Sequence, residues 1–158
     1  MNVLFLCTGN SCRSILAEAI FNHLAPSGWH AISAGSKPTG YVHPRALALL
    51  AREELAIGGF ESKSWAHFPV TPDIVITVCS SAAGETCPVY LNSSMRVHWG
   101  VEDPAFVTGS DAKIDAAFVK VYSVLYRRIH AFFTLPLESL KLDNVVFKAK
   151  LESIATMT

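Results

Sequence analysis

The segment Cys7-Thr8-Gly9-Asn10-Ser11-Cys12-Arg13-Ser14 constrains this chain more than any other, because of what flanks it. Residues 2–7 read as a continuous apolar strand, the kind buried on both faces of a parallel sheet. Ser14–Leu24 reads as a helix, with Ile15, Ala19 and Ile20 on one side and Glu18 and Asn22 on the other. A strand-to-helix turn of this length can curl its amides around one tetrahedral oxyanion. Gly9 and Asn10 tolerate the positive φ angles that such curling needs. The helix adds free N–H groups and the positive end of its dipole. Arg13 can grip two oxygens at once. The same field acts on Cys7 and predicts a thiol pKa lowered from roughly 8.5 to about 4–7. Ser14 is placed to donate its hydroxyl to that sulfur. The bland alternative is a plain Gly-Asn turn over a buried, inert cysteine.

The rest of the chain alternates in the same way. Trp29–Ala34 reads as a short strand ended by Gly35, and Pro44–Leu55 as a helix with Pro44 in its first turn. Asp73–Val78 is a third strand, Ser80–Ser94 a long loop and Arg96–Trp99 a fourth strand. Asp111–Phe133 is the longest helix. Its stripe of Ile114, Phe118, Val121, Leu125, Ile129 and Phe132 is core, not a cofactor site. A last helix runs from about Asp143 to about Ile154. This order predicts an α/β layer with a mostly parallel sheet, as one domain over residues 1–158. In such sheets ligands sit beyond the carboxyl ends of the strands. Cys7 and Cys79 end two of those strands and Asp103 follows a third, so one sheet edge collects three reactive groups.

Composition closes off other classes. The chain is 51% apolar and 16% charged, which describes a folded protein. Formal net charge is zero, so no overall field recruits nucleic acid or anionic lipid, and any anion site is local. Arg127-Arg128 is the one basic doublet and reads as the solvated face of the long helix. The apolar runs Val3–Leu6 and Ala46–Ala51 are too short to span a bilayer, and no basic leader precedes the first, which favours the cytoplasm. Cys7, Cys12, Cys79 and Cys87 are spaced Cys-x4-Cys and Cys-x7-Cys, unlike the paired Cys-x2-Cys of zinc ribbons, and a disulfide framework does not suit a cytosolic chain. The six histidines show no metal-ligand spacing. No metal is predicted, and His98 is placed to lean on the segment carrying Asp103.

Residues 3–19, Ser33-Ala34-Gly35-Ser36, His43-Pro44, Ser62-Lys63-Ser64 and Val101-Glu102-Asp103-Pro104-Ala105 together resemble a known family. They are similar to the low-molecular-weight protein tyrosine phosphatases and to the arsenate reductases that share their fold. The resemblance implies a three-layer sandwich, a four-stranded parallel sheet flanked by helices. It implies Cys7 as nucleophile, Arg13 as oxyanion clamp and Asp103 as general acid. Thr8, Gly9, Asn10, Ser11 and Cys12 would line the substrate with Arg13. Pro104 fixes the backbone after Asp103, which suits an acid that must protonate a departing oxygen.

Val78-Cys79-Ser80-Ser81-Ala82-Ala83-Gly84-Glu85-Thr86-Cys87-Pro88 resembles the redox segment of the reductases, as does His98-Trp99-Gly100. That likeness implies arsenate reduction with no bound cofactor. A second thiol attacks the Cys7–arsenic adduct, arsenite leaves, and a disulfide to Cys7 forms. A third cysteine, glutathione with glutaredoxin, or thioredoxin then opens the disulfide. Cys79 is the expected second thiol because it shares the sheet edge with Cys7, and Cys87 the expected third. Cys12 is an alternative partner that would protect Cys7 from overoxidation. The competing expectation is a phosphotyrosine phosphatase working through a phosphocysteine. The family's phosphatases often place tyrosines after the Asp-Pro pair to sandwich a phenol ring. Here Ala105-Phe106 follows, leaving Tyr41 or Trp65 to form that wall. A non-catalytic oxyanion-binding module is the third reading.

Overall fold

The computed structural model describes residues 1–66, 68, 70–86 and 88–158, and all of their side chains except those of Ser81 and Ala83. Cys87 therefore lies outside the described residues. The elements run β1 (Asn2–Cys7), α1 (Arg13–Leu24), β2 (His30–Gly35), α2 (Pro44–Arg52), β3 (Ile74–Thr77), α3 (Ser80–Gly84), β4 (Met95–His98), α4 (Asp111–Thr134), α5 (Leu137–Leu140) and α6 (Asn144–Ile154). Single 3-10 turns occur at Val89–Leu91 and Pro104–Phe106.

The four strands form one parallel sheet in the order β2-β1-β3-β4. The chain starts in the middle, crosses to one edge through α1, then returns to build the other side. The reversal makes a crevice beyond the carboxyl end of β1, the usual ligand position in an open α/β sheet. The register brings Cys7 opposite Gly35, Leu6 opposite Thr77, and Thr77 opposite His98. The α/β architecture matches the expectation, with helices packed about the sheet: α1 lies on β1 and β2, α3 touches β1 and β3, and α6 packs on β4.

Local chemistry explains the elements. Val3–Leu6 is wholly buried, as a central parallel strand must be. Helix α1 is buried around most of its girth, from Ser14 to Phe21, because it is pressed between the sheet and α4. Helix α4 is capped by Ser110, whose hydroxyl accepts from Lys113 N, and buries the predicted stripe, with Ile114 only partly covered. Phe132 lies at the centre of edge-on aromatic contacts with Phe21, Trp29 and Trp99. Phe147, Leu151 and Ile154 of α6 join the same core.

Two expectations need correction, and one element is unexpected. The second helix stops at Arg52, not Leu55, because Glu54 adopts a left-handed φ of 62°. Residues 80–94 are not simply a loop: α3 forms there because the Cys79 sulfur accepts from Ala82 N, an N-cap made by a thiol. The short helix α5 has no periodic signal and is held by packing of Leu137 and Leu140. Among the described residues, no helix is long and apolar enough to cross a membrane.

Candidate active site

The loop from Cys7 to Arg13 is pinned from outside. The carbonyl of Thr8 accepts from Lys37 N, that of Gly9 from Thr39 N and the Ser62 hydroxyl, and that of Ser11 from His43 N. With these carbonyls turned outward, the amides of Asn10, Ser11 and Cys12 donate to no acceptor among the described residues. A ring of free amides at the start of α1 is a cradle for an oxyanion. Asn10 gives the loop its curl with a φ of 47° and braces it from within. Its Nδ2 donates to Ser14 Oγ at 2.8 Å and Ser33 Oγ at 3.0 Å, and its Oδ1 accepts from Lys63 N at 2.9 Å. Ser33 in turn donates to Glu18. Ser14 is thus recruited by Asn10 and, contrary to expectation, makes no hydrogen bond to Cys7.

Gly35 is a site residue that sequence reasoning passes over. A Cβ there would stand 2.4 Å from Thr8 O and 2.9 Å from Cys7 O. Only glycine lets the end of β2 come this close to the loop's backbone. The clash is between segments distant in sequence, so only a Gly at a strand end hints at it.

Arg13 reaches over the cradle. Its Nη1 donates to Val101 O at 3.1 Å and its Nη2 to Asp103 Oδ2 at 3.0 Å. Its Nε is buried with no partner, a donor left for an incoming oxygen. Asp103 also accepts from Ala105 N through Oδ1, which fixes the carboxylate against Pro104. Cys12 is buried with its sulfur 4.0 Å from Asp103 Oδ1. Burial and that carboxylate raise its pKa, so it stays a thiol and a weak nucleophile. His98, expected against the segment carrying Asp103, pairs instead with β3 through Nδ1, 2.7 Å from Thr77 Oγ1, and its ring fills the space beside Gly100.

The structure brings Cys79 to Cys7 and leaves Cys12 on the other side, facing Asp103. The Cys79 sulfur accepts from Thr8 N at 3.3 Å and Ala82 N at 3.4 Å, and lies 3.6 Å from Thr8 Oγ1. The two thiols also act on each other, and that mutual interaction is the largest influence on both. Cys79 is lowered to about 5 by that bond and by the Thr8 and Ala82 donors, against its own burial. Cys7 is raised: its proton is held by Cys79 and by burial, with Arg13 and Gly9 N–H pulling the other way. The low pKa expected for Cys7 is therefore a property of the pair, within which Cys79 is lowered and Cys7 raised. Cys79 has more donors, and a second negative charge beside the first is unfavourable, so the pair carries one charge between two sulfurs. Thr8, expected as a substrate ligand, holds this second sulfur through its amide, and its hydroxyl lies between that sulfur and Glu85 Oε1, 3.3 Å away, with one proton to give to either.

Tyr41 is 57% and Phe106 83% exposed, whereas Trp65 is half-buried and donates its amide to Gly35 O. Among the described residues, no three His, Cys, Asp or Glu side chains converge as a metal site.

A thiol on the floor of an amide cradle, an arginine with a spare buried donor and a carboxylate at the rim define a cysteine-dependent enzyme of tetrahedral oxyanions. The chain belongs to the low molecular weight phosphotyrosine protein phosphatase family, whose model matches residues 2–145. It is 37% identical over 133 residues to an arsenate reductase of Halalkalibacterium halodurans, covering 82% of this chain and 93% of that protein. An arsenate reductase solved in its phosphate-binding state superposes with a TM-score of 0.68 at 27% identity, over 82% of this chain and 93% of the other. A thioredoxin-dependent arsenate reductase of Corynebacterium glutamicum aligns with a TM-score of 0.60 at 28% identity, over 89% of this chain and 62% of that one.

Proposed function

We propose that this protein reduces arsenate to arsenite through Cys7 and Cys79, with thioredoxin as the external reductant. The observation that carries the reading is the hydrogen bond from Thr8 N to the Cys79 sulfur. It anchors a second thiol, lowered to about 5, on the residue next to Cys7. A phosphatase needs water at this stage, not a second sulfur.

Arsenate sits in the cradle against Arg13 Nε. The Cys7 sulfur bonds to arsenic, and one arsenate oxygen leaves as water. The thiol proton supplies the departing water's second hydrogen, relayed by Asp103 as the anion draws Arg13 away from it. The Cys79 thiolate then attacks the Cys7 sulfur. The S–S bond forms, the S–As bond breaks, and its electron pair stays on arsenic, which departs as arsenite. Two thiols are oxidised by two electrons and arsenic(V) becomes arsenic(III). The Cys87 thiolate then attacks the Cys79 sulfur; the Cys79–Cys87 bond forms as the Cys7–Cys79 bond breaks, Cys7 leaves as a thiolate, and thioredoxin reduces the new disulfide. Thioredoxin dependence is supported by the Corynebacterium relative. A cycle that needs reduced thiols belongs in a reducing compartment, which is the cytoplasm.

The test is arsenate-dependent NADPH oxidation with thioredoxin and its reductase, run beside glutathione with glutaredoxin and beside aryl phosphate hydrolysis. Cys79→Ser abolishes arsenate turnover and spares phosphate hydrolysis. Arsenate turnover untouched in that variant, or absent in the wild type while an aryl phosphate is hydrolysed rapidly, overturns the reading in favour of the phosphatase.

A further inference from the structure

Two arginines hold three consecutive carbonyls on the way into the segment that carries Asp103. Arg13 takes Val101 O. Arg128, on α4, donates through Nη1 to Trp99 O at 2.9 Å and Gly100 O at 3.3 Å. Its Nε donates to Met157 O at 2.9 Å. Trp99 is fully buried, and its indole N–H donates to Leu151 O in α6 at 2.9 Å. Arg127 Nε donates to Thr158 O at 3.1 Å. The exit of β4 is thus fastened to the carboxyl-terminal end of the chain, and Arg128 is the bridge.

Arg128 is 5% exposed and makes no ion pair among the described residues, although the sequence pattern places it on a solvated helix face. A guanidinium withdrawn from water without a carboxylate is costly unless its donors are met. Here backbone carbonyls meet them, so those carbonyls are held where the guanidinium is. Gly100 is the residue at which the chain would otherwise swivel, since glycine has the widest choice of φ and ψ. Its neighbours on either side are fastened, Trp99 N to Thr77 O and Val101 N to Val78 O. Arg128 adds the carbonyls to these amides, three residues ahead of the carboxyl group. The strap it recruits, residues 151–158, lies beyond residue 145, where the family match ends.

We propose that Arg128 is a positioning residue for Asp103, and that residues 151–158 are the strap through which it sets the acid's place over the cradle. The proposal rests on the reading of Asp103 as the proton donor.

The test uses Arg128→Gln, Arg128→Lys and a chain ending at Ile154, which loses the Met157 carbonyl but keeps Arg128. Hydrogen exchange is the first readout and needs no activity. Peptides spanning 99–107 exchange about tenfold faster or more in each variant, while peptides of β1 and α1 are unchanged. Single-turnover arsenate consumption is the second. Arg128→Gln lowers the rate about tenfold to a hundredfold with KM unchanged, and adds no further loss in an Asp103→Asn background. Lysine at 128 fails to rescue, because it lacks the fork that spans both carbonyl groups. Exchange that rises throughout the sheet, or a loss as large with Asp103→Asn as without it, overturns the proposal and makes Arg128 a plain staple. If the glutamine variant does not fold, the chain ending at Ile154 decides by the same two readouts. A wild type inert toward arsenate counts against the proposed function alone. The cycle is then run with an aryl phosphate and judged as before.

Discussion

Arg13 Nη2 stands 3.0 Å from Asp103 Oδ2, so the proposed clamp and the proposed acid hold each other. An arriving oxyanion competes with Asp103 for the same guanidinium. As the anion wins, Arg13 releases Asp103, whose carboxyl is then free to face the departing oxygen. Binding and proton delivery are thereby linked through one side chain.

This linkage predicts opposite effects from one substitution. Asp103→Asn removes the competing charge, so sulfate or phosphate binds about threefold to tenfold more tightly. Arsenate turnover falls about a hundredfold because the proton donor is gone. Calorimetric titration with sulfate and a single-turnover assay measure the two arms. Weaker sulfate binding in the variant would show that the pair assists the anion rather than opposing it.

Thr8 contributes both an amide and a hydroxyl to the Cys79 sulfur. Thr8→Val keeps the shape and the amide and deletes the hydroxyl. One lost hydrogen bond to a thiolate, about 1 kcal/mol or somewhat more, moves the alkylation midpoint of Cys79 up by about one pH unit. Iodoacetamide labelling followed by site-resolved mass spectrometry reads the midpoint directly. An unmoved midpoint would mean that the hydroxyl serves Glu85 alone.

The direction of the pH dependence follows from Cys79 at about 5. Its thiolate is present above that value and is lost as the pH falls through it. Arsenite release in a single turnover is therefore level near neutrality and declines about tenfold per pH unit well below pH 5. Quenched-flow mass spectrometry of the adduct and the disulfide separates the steps. A release step already declining at pH 7 would place the charge on a different sulfur.

Gly35 has no room for a methyl group, since the atoms a Cβ would meet are backbone oxygens. Gly35→Ala is expected to cost about 1–3 kcal/mol in urea unfolding. It also weakens sulfate binding, because the relief available is displacement of Cys7 and Thr8. Gly58→Ala is a fair control, as a Cβ there meets nothing within 4 Å. Equal effects at both positions would argue against a close approach at Gly35.

Much of the site is legible in the order of residues alone. The loop from Cys7 to Ser14 announces itself because strand, turn and helix are contiguous, and backbone preferences act over a few residues. A continuous apolar run places β1, and apolar residues at helical spacing place α1 and α4, to within a residue or two. Asp103 is found through the Asp-Pro pair, and Cys79 through its position at a strand end. The helix at Ser80–Gly84 escapes such reading because its cap is a cysteine, a residue with no reputation for capping.

The sequence by itself determined the parallel α/β sheet and the strand-turn-helix loop with its candidate reactive residues, all properties written in short-range pattern. Tertiary structure decided that the sulfurs of Cys7 and Cys79 meet and titrate as a pair, which glycine must stay bare and why Arg128 is buried. Each of these depends on groups far apart in the chain, as Thr8 and Cys79 are, 71 residues from one another. Ionisation, close approach and satisfaction of buried donors are set by neighbours in space, and folding alone supplies those neighbours.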